Sequence, residues 1–97
     1  MAGQERRTQT LAQSFRVLGD PTRLAILLAL EAEELNVSEL CRKLRQNQPT
    51  VSRHLGILKM SAFTEARRRG KEIYYSILPS KRRVLKTILD RAESLTR

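Results

Sequence analysis

Asn47, Gln48, Thr50, Ser52, Arg53 and His54 crowd six polar side chains into eight positions, and each carries a group that can read nucleic acid. An arginine presents two parallel donors that match O6 and N7 of guanine, and a glutamine pairs with adenine in a similar two-pronged way. Serine and threonine hydroxyls serve base edges or phosphates. At helical spacing Val51, Leu55 and Leu58 share one face. Ser52, Arg53 and Gly56 fall on the opposite face, with Gln48 and Pro49 at its start. That outer face holds no bulky apolar residue. A second cluster, Arg67, Arg68, Arg69 and Lys71, is denser in charge than a soluble hairpin requires and suits phosphate or minor-groove contact. Strand alternation places Arg67 and Arg69 on one face and Arg68 on the other. Each cluster also has a bland reading, as a solvated helix surface or a solvated basic turn.

Positioning these groups takes a scaffold, and the chain's punctuation describes one. Residues 1–7 are polar and are expected to be frayed or disordered. A first helix is expected from about Thr8 to Leu18, with Leu11, Phe15 and Leu18 on one face. Asp20-Pro21 is a helix-start signal, a cap followed by a residue suited to the first turn, so a second helix covers about Pro21 to Leu30 and centres the core. Glu31 to Asn36 reads as an acidic connection. Ser38 is the expected cap of a third helix ending near Leu44, and Asn47 that of a fourth running to about Met60. The period then changes. Thr64 to Arg68, a turn at Arg69-Gly70-Lys71, and Glu72 to Ile77 read as a β-hairpin. A last helix follows over about 80–95, striped by Val84, Leu85, Ile88, Leu89, Ala92 and Leu95. The order α-α-α-α-β-β-α, mainly helical with a hairpin wing, is a winged helix-turn-helix, and residues 1–97 form a single domain.

Charge says where a polyanion would lie. The chain carries a formal net charge of +9 and a pI near 10.8. Residues 1–40 are net −2 and residues 41–97 net +11, so the positive potential begins where the reading helix begins. Charge alone would also admit RNA, acidic proteins or an anionic membrane surface. The longest apolar run, Leu24 to Leu30, is too short to cross a bilayer, and Met1 to Arg7 lacks the apolar core of a signal peptide. A soluble, cytoplasmic protein with no membrane partner is the expectation. One cysteine excludes an internal disulfide or a two-thiol sensor, and no nucleophile, metal or phosphate-loop signature suggests an enzyme or a cofactor.

Three segments resemble one family. Leu18-Gly19-Asp20-Pro21-Thr22-Arg23-Leu24-Ala25-Ile26-Leu27 resembles the L-x-D-P-T-R-x-x-I-L opening of ArsR/SmtB-type winged-helix repressors. Gln48 to Leu55 resembles that family's recognition helix, and Arg67 to Lys71 with Tyr74-Tyr75-Ser76-Ile77 resembles its basic wing. The resemblance implies a homodimer joined through the first and last helices that represses transcription by occupying an operator in double-stranded DNA. It would place Leu11, Phe15, Val84, Leu85, Ile88, Leu89, Ala92 and Leu95 at the dimer interface. The apolar stripes alone leave core and seam open, although the last helix, arriving after the wing, has few core partners left.

The chain departs from the family in telling places. Metal-sensing members carry cysteines where this chain has Asn36 and Ser38, and a second family site uses Asp and His where the last helix offers Asp90 and Glu93 without a His. Soft metals need thiolate or imidazole ligands, so neither metal site is expected here, and any inducer is an unidentified protein or small molecule. The family places Gly and an aliphatic residue where this chain has Arg45 and Gln46. A left-handed Arg there would cost about 1 kcal/mol relative to Gly. His54 reads as a half-buried packing residue or a phosphate contact, and Cys41 as a small buried residue or a reactive thiol beside Arg42 and Lys43. The competing function is a nucleic-acid-binding module that works by charge alone, of nucleoid or RNA-binding type. A third reading keeps the fold for dimerisation only.

Overall fold

Side-chain caps divide the chain much as its punctuation suggests. The computed structural model describes residues 2–96. Helix α1 spans Ala2–Leu18, so the stretch expected to be disordered continues the helix from residue 2; residue 1 lies outside the described residues. Asp20 then caps α2 (Pro21–Ala32), its carboxylate accepting the Arg23 backbone N–H at 3.0 Å. Strand β1 is the pair Leu35–Asn36, and α3 spans Val37–Leu44. The cap of α3 is Asn36 and not Ser38. The Asn36 side chain accepts the Glu39 N–H at 2.8 Å while the Glu39 carboxylate accepts the Asn36 N–H at 2.9 Å, a reciprocal pair that Ser38 has no matching residue to form. Asn47 caps α4 (Gln48–Met60) through the Thr50 N–H at 2.9 Å.

Both helices of the helix-turn-helix end on a left-handed residue that is not glycine. Arg45 has φ 55°, ψ 46°, and the next N–H, of Gln46, closes on the Cys41 carbonyl at 3.1 Å. After α4, Ala62 has φ 60°; its N–H bonds to the Lys59 carbonyl at 3.0 Å and that of Phe63 to Leu58 at 2.9 Å, the Schellman arrangement. The reversal drops Phe63 into the core and starts the wing.

Strands β2 (Thr64–Arg69) and β3 (Glu72–Ile77) form the hairpin, in register from Thr64 opposite Ile77 to Arg69 opposite Glu72. The turn is Gly70-Lys71, with Gly70 at φ 63°. β1 adds to the other edge of β3, giving an antiparallel sheet of order β1-β3-β2. The acidic connection thus contains a strand that two residues were too few to announce. Helix α5 (Pro79–Ala92) and a 3-10 turn (Glu93–Thr96) close the chain.

The core gathers around α2, whose Ile26, Leu27 and Leu30 are fully buried, with Leu40 of α3, Val51, Leu55 and Leu58 of α4, and Leu35, Phe63 and Ile77 from the sheet side. Leu85 of α5 joins this core at 1% exposure. It plugs its own protomer and is therefore not a seam residue, a correction to the expected interface. Leu11, Phe15, Val84, Ala92 and Leu95 are exposed, and Ile88 and Leu89 half-buried.

Candidate nucleic-acid interface

Helix α4 packs against α2, α3 and β2 through Val51, Leu55 and Leu58, which fixes the face it turns outward. That face carries Gln48, Ser52, Arg53 and Gly56, all exposed. The side chains of Gln48, Ser52 and Arg53 make no hydrogen bond or ion pair with other described residues. A Cβ placed on Gly56 would meet nothing within 4 Å, so the outer surface of the helix is open at its middle.

Two of the six polar residues grouped by sequence have other side-chain partners, and a third is half-buried. Asn47 spends its side-chain oxygen on the cap of α4, and Thr50, whose N–H that oxygen receives, is half-buried. His54 lies on the buried side at 6% exposure, its Nδ1 3.0 Å from the Arg23 guanidinium and 3.8 Å from the Asp20 carboxylate. It is removed from the reading face, in keeping with its packing alternative. The Asp20 carboxyl is held below its usual value of 3.8, first by the Arg23 N–H it accepts. Partial burial opposes this, and the nearby Arg23 guanidinium reinforces it.

The wing is less uniform than its charge suggests. Arg69 stacks over the Tyr74 ring at 4.0 Å and approaches Glu34 at 3.8 Å, so it is drawn toward the sheet edge. Arg68 donates to the Gly70 carbonyl at 3.3 Å, and Arg67 lies 4.0 Å from Glu65. All three side chains remain largely exposed, as does Lys71, and contacts of this kind at a surface hold a side chain only weakly. Arg42 and Lys43, which sequence reasoning left out of the interface, stand exposed with Arg45 on the last turn of α3 and the following bend, directly before the reading helix. Their signal was the onset of positive charge at residue 41.

The residues at the family's metal position do not fit a soft metal. The Asn36 side chain is committed to its capping box, and Ser38 offers only a hydroxyl. Among the described residues no group of three His, Cys, Asp or Glu side chains is placed to hold a metal ion. Cys41 is half-buried and packs beside the core. No helix of the described residues is long and apolar enough to cross a membrane.

Comparison with known proteins agrees with this architecture. Residues 20–61, from the α2 cap through the end of α4, match the bacterial regulatory protein arsR family. The arsenical resistance operon repressor of Escherichia coli is 46% identical over 68 residues, 69% of this chain and 58% of that repressor, so the chain spans little more than half of that relative's length. The biofilm growth-associated repressor of Xylella fastidiosa is 35% identical over 77 residues, covering 79% of this chain and 68% of the repressor. Among solved structures, the homodimeric winged helix-turn-helix DNA-binding domain of a Mycobacterium bovis protein superposes with a TM-score of 0.80 at 26% identity, over 94% of this chain and 84% of that one. With its helix-turn-helix shared at the level of residues and its wing and flanking helices at the level of fold, this chain belongs to the ArsR/SmtB-type family of winged-helix regulators.

Proposed function

We propose that this protein is a sequence-specific double-stranded DNA-binding repressor that acts as a homodimer on a pseudo-palindromic operator, without catalysis and without the family's metal sites. The observation that carries this reading is the outer face of α4. Gln48, Ser52 and Arg53 are exposed there with their side chains uncommitted, on a helix whose other face is locked in the core. Flanking cations from α3 and the wing supply the sequence-independent attraction to phosphate. Leu11 and Phe15 on α1, Val84 on α5 and Leu95 in the 3-10 turn after it are exposed apolar side chains, which supports a two-fold seam between copies. Such a dimer would set two α4 helices about one helical turn of DNA apart, roughly 34 Å. The occupied chemistry at Asn36 favours an inducer other than a soft metal, or none.

Selection from a random duplex pool tests the reading. The wild-type chain is expected to enrich an inverted repeat and to bind it about a thousandfold more tightly than random DNA. Arg53→Ala should lower that ratio about tenfold or more, whereas Arg68→Ala should weaken operator and random DNA alike. Enrichment of no sequence, with equal and salt-sensitive binding to every duplex, would replace this reading with the charge-led module.

A further inference from the structure

The Arg23 side chain makes three directed contacts, none of them to the exposed face of α4. Its Nε donates to the Val17 carbonyl at 2.6 Å and its Nη2 to the Arg16 carbonyl at 3.2 Å. These oxygens lie in the last turn of α1, where the helix dipole favours a cation. Its Nη1 lies 3.0 Å from Nδ1 of His54 on α4. A guanidinium can only donate, so His54 accepts through Nδ1 and carries its proton on Nε2. The Arg23 backbone N–H is in turn fixed by Asp20. At Gly19 a Cβ would sit 3.0 Å from the Phe15 carbonyl oxygen, so glycine relieves crowding against the last turn of α1 itself.

One rigid, planar group thus joins the end of α1 to the buried side of the reading helix, across a sequence separation of 31 residues. Phe15 lies one residue before the carbonyls that Arg23 grips, and it is 59% exposed on the face assigned to the dimer seam. We infer that Arg23 is a positioning residue for DNA reading: through His54 it holds α4 at a set angle to α1, so that the seam between protomers dictates how the two reading helices are spaced and oriented. This rests on the dimeric, sequence-reading function proposed above. Arg23 has no role in non-specific attraction, which needs charge near phosphate and no defined helix angle. His54 is the acceptor of the strut, and Asp20 its anchor.

The test uses the full chain, its selected inverted repeat, the same repeat with one or two base pairs inserted between half-sites, and random duplex. Arg23→Gln keeps a hydrogen-bonding side chain but cannot bridge both helices. His54→Gln keeps an acceptor, while His54→Leu fills the site without one. Far-UV circular dichroism and sedimentation check that each variant is folded and dimeric. For Arg23→Gln and His54→Leu the ratio of operator to random binding is expected to fall about tenfold, with random-DNA affinity unchanged within about threefold. His54→Gln is expected to retain most of the ratio. The spacer should be decisive: wild type loses about tenfold or more on insertion, and Arg23→Gln loses markedly less, because its reading helices are no longer held by the seam. Folded, dimeric Arg23→Gln and His54→Leu that keep the wild-type ratio and spacer penalty would overturn the inference and leave the proposed function standing. Equal behaviour of His54→Leu and His54→Gln would likewise overturn it, since packing alone would then explain the site. Should Arg23→Gln fail to fold, the His54 pair decides. A wild-type chain that selects no sequence overturns both proposals together.

Discussion

Arg45 is where backbone and charge requirements collide. Its φ of 55° is natural for glycine and costs another L-residue about 1 kcal/mol, yet the position carries an exposed cation directly before the reading helix. Arg45→Gly is therefore expected to raise stability by about 1 kcal/mol, which thermal melts would read as a gain of about 4–8 °C. It should at the same time weaken binding to operator and random DNA alike, as loss of a phosphate contact does. Asp20 gives a pH signature at the same scale. Its carboxyl is depressed below 3.8 in the folded chain, so its contribution to stability is present above 3.8 and is lost as pH falls through the lower folded value. The gap in melting temperature between wild type and Asp20→Asn should be widest at neutral pH and close in acid, in melts from about pH 6 to about pH 2. A gap independent of pH would assign Asp20 a purely steric role.

At the scale of single elements, α4 is stabilised on one side and left bare on the other. Gly56 stands in the helix interior with open space where a Cβ would go. Gly56→Ala should stabilise the free protein by about 0.5–1 kcal/mol in denaturant titrations. If DNA approaches that backbone closely, the same substitution lowers operator affinity, and the two readouts then move in opposite directions. For α3, the Asn36–Glu39 box satisfies two end groups at once, and Asn36→Ala should cost about 1 kcal/mol. These elements were largely legible in the residues. Asp20 and Asn47 sit before Pro21 and before Gln48-Pro49, and cap chemistry depends only on neighbours three positions away. Ser38 misled because serine is an equally good cap in isolation; the reciprocal partner at Glu39 selects Asn36 instead. β1 was not legible, since two residues carry no period and their pairing with Tyr74 and Tyr75 is a long-range contact.

For the whole molecule, the proposed seam over the exposed apolar residues of α1 and α5 would decide whether two half-sites are read together. Phe15→Glu places a charge in the proposed seam without touching the core, so sedimentation should show a monomer at concentrations where wild type is dimeric. Affinity for the two-half-site operator should fall about a hundredfold, while binding to a single half-site changes little, because only the linkage of two contacts is lost. A dimer that survives this substitution would move the seam elsewhere.

Periodicity, caps and the turn of charge at residue 41 are local properties, which is why the order of helices, the hairpin wing and the outward residues Gln48, Ser52 and Arg53 could be read directly from the chain. Burial within a stripe is not local. Leu85 and Val84 are adjacent on one apolar helix, but only the packing of α5 on the core separates a fully buried plug from a half-exposed surface residue. The same holds for His54, which the sequence left between a packing residue and a phosphate contact until α2 supplied Arg23 as its partner. Helical spacing places a residue on a face to within a turn; which neighbour fills the space beside it depends on elements distant in sequence, and that is settled only when the core closes.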